Sequence, residues 1–74
     1  MSLRDEVLTI LAKRLADDVV HGHTVLPWSG PKDRFIRVEI DRDEELLIYE
    51  GVLSNDDIVE INTKAQFLIE EAQP

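Results

Sequence analysis

The chain has no cysteine, so neither a disulfide nor a thiolate metal site is open to it. That absence fits a reducing compartment. Basic residues are scarce: eight Lys and Arg stand against sixteen Asp and Glu, for a formal charge of −8. A duplex-binding protein needs a basic footprint to displace phosphate counterions, so direct nucleic-acid binding is not expected, despite a local cluster of Lys32, Arg34 and Arg37. No run approaches the roughly 20 apolar residues of a membrane span. The charged start, Arg4-Asp5-Glu6, leads into an amphipathic pattern and not into the apolar core of a signal peptide. No membrane role is expected, and the expected location is the cytoplasm.

Glycine and proline are also few, and where they fall is informative. Gly22, Pro27, Gly30 and Pro31 lie within one short stretch, which reads as a loop over about 22–33. Within it, Thr24-Val25-Leu26 is strand-like, and the alternative to a plain loop is a third, edge strand at 24–28. At 74 residues the whole chain, 1–74, is read as a single domain. A domain this small buries a modest share of its surface, so close packing or association must supply its stability.

What is present is periodicity. Leu8, Leu11, Leu15 and Val19 recur at three- and four-residue spacing, with Val7 and Ala12 beside them, and predict a helix over about 3–20. Ser2 can cap it and Gly22 can stop it. Ile36, Val38 and Ile40 alternate with charged residues in a strand over about 34–41. A second strand, about 45–53, is apolar on both faces at Leu46-Leu47-Ile48-Tyr49, which implies that it is covered on both faces or lies inside a wider sheet. The acidic hinge Asp41-Arg42-Asp43-Glu44-Glu45 joins them. Pairing Ile40 with Leu46 and Val38 with Ile48 makes one coherent face, whereas a slip pairing Val38 with Leu47 turns Tyr49 inward. Ser54 or Asn55 then opens a helix over about 55–72, with Ile58, Ile61, Ala65, Leu68 and Ala72 as its stripe and Ile69 widening it. The expected fold is α+β: helix, antiparallel hairpin, helix.

Chemistry-bearing motifs are sparse. Asp17, His21 and His23 alone have metal-ligand composition, but histidines at a helix C-terminus also serve its dipole and carbonyls without a metal. No third imidazole exists elsewhere, so no metal and no cofactor is expected. The hinge acids lack the walled pocket that separates the pKa values of an acid–base pair. Ser29-Gly30-Pro31-Lys32 lacks phosphate-loop spacing, and the serines and threonines lack triad context. The chain is not expected to be an enzyme.

The residues that stand out are those of a contact surface. Phe67, flanked by Val59, points away from the apolar stripe of the last helix. Trp28 lies in the loop, where it either folds over the core edge or anchors a partner. Tyr49 belongs to the double-sided strand, while Glu44 and Glu45 mark the hairpin tip. The reading is a small acidic, non-enzymatic protein-interaction module, a homodimer or one that docks on a larger protein. The alternative is an inhibitor whose carboxylates imitate nucleic-acid phosphates on a basic protein. A small metal-binding protein using His21 and His23 is the third reading.

Overall fold

Two serines start the two helices of this α+β domain, and each does so with its hydroxyl. The computed structural model describes residues 2–72. Helix α1 runs over Leu3–Val20, where Ser2 Oγ accepts the N–H of Asp5 at 3.1 Å. It ends in a Schellman motif: Gly22 takes φ +77°, and the N–H groups of Gly22 and His23 donate to the carbonyls of Val19 and Asp18. Helix α2 runs over Asn55–Ala72. Ser54 caps it reciprocally, Asp57 N–H donating to Ser54 Oγ at 3.1 Å and Ser54 N–H to Asp57 Oδ2 at 2.9 Å. The other Asp57 oxygen is buried, faces the guanidinium of Arg4, and receives no donor at hydrogen-bond geometry, so the arginine's charge is what balances it.

Between the helices, β1 (Phe35–Arg42) and β2 (Glu45–Val52) form a two-stranded antiparallel sheet, each within a residue or so of its expected bounds. The register differs from both expected pairings. Ile36 lies opposite Gly51, Val38 opposite Tyr49 and Ile40 opposite Leu47. The turn decides this. Asp43 and Glu44 both take positive φ, 50° and 68°, which closes a two-residue primed turn directly between Arg42 and Glu45. A longer acidic loop would have allowed the expected pairing, but it would have given up one rung of the ladder.

The stretch 24–28 does not join the sheet, which contains two strands only among the described residues. Its backbone bonds elsewhere: Trp28 N–H donates to Asn62 Oδ1 at 2.7 Å, and Asn62 Nδ2 donates to Trp28 O at 2.8 Å. A helix side chain thus takes the place of a neighbouring strand.

Arg4 meets Asp57, Lys64 Nζ donates to Thr9 Oγ1 at 3.4 Å, and Ala16 and Val20 share a groove with Leu68 and Ala72. The helices therefore run parallel. Buried Ala12, Ala16 and Ala65 lack bulk and allow close approach. The core adds Val7, Leu8 and Leu15 from α1, Ile36, Val38 and Ile40 from β1, Leu53, and Ile58, Ile61 and Ile69 from α2. Two expected stripe positions move by one residue: Leu11 and Leu68 are half-buried at the rim, while their neighbours Ala12 and Ile69 lie inside. The inner face of each helix must meet both the other helix and the hairpin, which rotates the stripe. The shortest dimension, 21 Å, is two layers thick, one of helix and one of sheet.

Candidate interaction surface

With the helices on one side of the hairpin, its other side is left bare. Opposed residues share a face, so the register puts Phe35, Arg37, Glu39 and Asp41 on the outer side of β1. Val52, Glu50, Ile48 and Leu46 lie opposite them on β2. The four apolar members, Phe35, Leu46, Ile48 and Val52, are 45–70% exposed. Arg37 lies 3.4 Å from both Glu39 and Glu50, which leaves a charged island between the apolar pair at the hairpin base and the apolar run toward the tip. Phe35, Leu46, Ile48 and Val52 were not singled out as contact residues from sequence, although the double-sided pattern at 46–49 signalled part of the patch. Phe35 and Val52 become neighbours only through the two-residue turn.

The backbone of this surface follows the same parity. Leu53 N–H donates to Arg34 O at 2.8 Å, so that pair is a hydrogen-bonded one and every second rung inward repeats it. Ile36, Val38 and Ile40 therefore bond across to Gly51, Tyr49 and Leu47. The outer-face residues aim their N–H and C=O groups away from the hairpin. On β1 the first of these is taken, because Phe35 N–H donates to Asp33 Oδ1 at 3.0 Å. On β2, no backbone group from elsewhere in the described residues reaches Leu46, Ile48, Glu50 or Val52.

The other expected contact residues separate into two groups. Phe67 and Val59 are 60% and 63% exposed, two turns apart on the outer side of α2 with Thr63 between them. Glu44 and Glu45 are exposed at the tip, where Arg42 of the same turn pairs with Glu6 of α1. Tyr49 and Trp28, by contrast, are half-buried and packed against the core. Tyr49 faces inward because of the register, and Trp28 because Asn62 holds its backbone. Asn62 had no sequence signal, since its partner lies 34 residues away.

Asp17, His21 and His23 stay close to the end of α1 without converging. His21 Nδ1 lies 2.8 Å from the carbonyl of Asp17 and 3.4 Å from its carboxylate, while His23 Nδ1 lies 3.8 Å from Asp18. The imidazole centroids are 6.1 Å apart, and no group of three potential ligands is gathered among the described residues. A shallow apolar groove of about 290 Å³ runs between the last turns of the helices, lined by Ala16, Val20, Leu68, Ile69 and Ala72 with Lys13 and Asp17 at its rim. Acids occupy the first turns of both helices, the last turns of α1, the outer face of the hairpin and its tip; they do not form a single row. No helix of the described residues is long and apolar enough to cross a membrane. No protein-family model, curated protein or solved structure matches the chain.

Proposed function

We propose that this protein is a small acidic interaction module whose task is to bind another protein chain, a second copy of itself or a larger partner. The observation that carries this reading is the outer face of the hairpin, where four of eight side chains are large, apolar and exposed. A two-stranded sheet is marginal alone, and a bare apolar face on it gains from being covered. Chain size works in the same direction, because a domain of 74 residues has little core to spare. Phe67 and Val59 on α2 supply a second, smaller contact area. The charge of −8 favours basic over acidic partners and acts mainly on encounter rates. No residue is given a catalytic role in this reading, and no cofactor or metal is required by it.

The test uses the parent and a Leu46→Lys, Val52→Lys variant. Both substituted side chains are exposed, so the variant keeps its fold, as circular dichroism would check. Sedimentation from micromolar to millimolar concentration reports self-association, and retention of host proteins on the immobilised chain reports a larger partner. The parent is expected to associate in at least one assay and the variant to lose that association. A parent that stays monomeric and retains nothing beyond what the variant retains rules the reading out.

A further inference from the structure

We infer that the partner is a second copy of this chain, joined edge to edge through β2 to make one four-stranded antiparallel sheet, β1-β2-β2-β1, about a two-fold axis at Tyr49. The pairing presupposes the interaction-module reading and specifies its partner and surface.

Three observations select β2. Its outward N–H and C=O groups at Leu46, Ile48, Glu50 and Val52 are unclaimed along an eight-residue strand. Long, apolar, unblocked edges of this kind template pairing with another chain. The edge of β1 is blunted by contrast. Asp33 already occupies the N–H of Phe35, and the remaining outward positions are Arg37, Glu39 and Asp41. Finally, β2 is complementary to itself. Centring the axis on Tyr49 sets Leu46 opposite the second copy's Val52, and Ile48 opposite its Glu50, using only the free backbone groups.

Charge fixes this register against its neighbours. Moving the axis to Glu50 would place two carboxylates directly opposite each other, which is destabilising in a sheet. Moving it to Ile48 would set Leu46 against Glu50 and leave Val52 without a partner. With the axis at Tyr49 no acid faces an acid, and each Glu50 keeps Arg37 of its own chain 3.4 Å away. Every copy contributes the same strand to the same contact, so the assembly closes as a dimer and does not propagate.

The alternation of the ladder supplies a selective test. Ile48 N–H points away from β1, so Ile48→Pro removes an outward donor while sparing the bonds within the hairpin. Phe67→Lys alters the α2 surface instead. Sedimentation should show a dimer for the parent and for Phe67→Lys, with dimerisation at least tenfold weaker for Ile48→Pro. Independently of any substitution, amide exchange in the parent should slow at Ile48 and Glu50 as concentration rises. Isotope-filtered spectra of mixed labelled and unlabelled chains should show Leu47 Hα close to Gly51 Hα of the other copy. A dimer whose Ile48 and Glu50 amides exchange freely, or which is lost in Phe67→Lys only, overturns the edge pairing and leaves the module reading standing on another surface. A parent that is monomeric at millimolar concentration also overturns it, and the module reading then rests on its larger-partner arm alone.

Discussion

Asn62 shows how one side chain can replace an element of secondary structure. Its amide receives from Trp28 N–H and donates to Trp28 O and Ile58 O, so the connector is fastened to α2 at both polar groups of a single residue. Removing the amide leaves two half-buried backbone groups of Trp28 without a partner. Asn62→Ala is therefore expected to cost about 1–3 kcal/mol, the usual range for stranded polar groups, as read by chemical denaturation. Loss of the Trp28 fluorescence shift at low denaturant should accompany it. An unchanged midpoint would mean that the connector is held by its apolar contacts alone. Gly30 lies in the same connector at φ +89°, which L side chains rarely adopt, and a Cβ there would come within 2.6 Å of Ile58 Cδ1, so the end of that side chain would have to shift.

At the scale of elements, each helix has two neighbours and its apolar stripe turns to serve both. Leu8 is 1% exposed, whereas Leu11, central in the bare sequence pattern, is at the rim. Leu8→Ala should thus cost about 2–5 kcal/mol, the range for buried leucine truncations, and Leu11→Ala clearly less. Thermal melts of the two variants in parallel decide the point, and equal losses would contradict the rotated stripe. The hairpin follows a comparable logic. Asp43 and Glu44 tolerate positive φ in order to close a two-residue turn. That turn gains a rung of the ladder and puts Leu47 and Tyr49 on the core side with Val38 and Ile40.

For the molecule as a whole, two layers give one core and leave the far side of the sheet bare. Self-association through β2 would stabilise the folded state by mass action, since the unfolded chain has no such edge. The melting temperature is accordingly expected to rise with protein concentration, by several degrees between about 5 and 500 μM for a dimer of micromolar affinity. Differential scanning calorimetry across that range measures it, and a flat dependence argues against association coupled to stability. Added salt should strengthen this trend, because it screens the repulsion between two chains that each carry a formal charge of −8.

Element types and order were legible because they depend on local signals: three- and four-residue spacing at 3–20 and 55–72, alternation at 36–40, and a capping serine at 2, with the choice between Ser54 and Asn55 for the second cap made only by the structure. The outward direction of Phe67 and Val59 followed from that same spacing. The hairpin register was not legible, because Asp-Glu lacks the glycine or asparagine that usually announces a primed turn. Consequently the inward turn of Tyr49 and the outward quartet of Phe35, Leu46, Ile48 and Val52 emerged only in three dimensions. The loss of the third strand has the same origin, a bond between Trp28 and a residue 34 positions away. Periodicity is a property of neighbours in the chain, and it sets which segments are helix or strand. Which faces are covered depends on contacts between distant segments, and those exist only once the two parallel helices have taken one side of the sheet and left the other open.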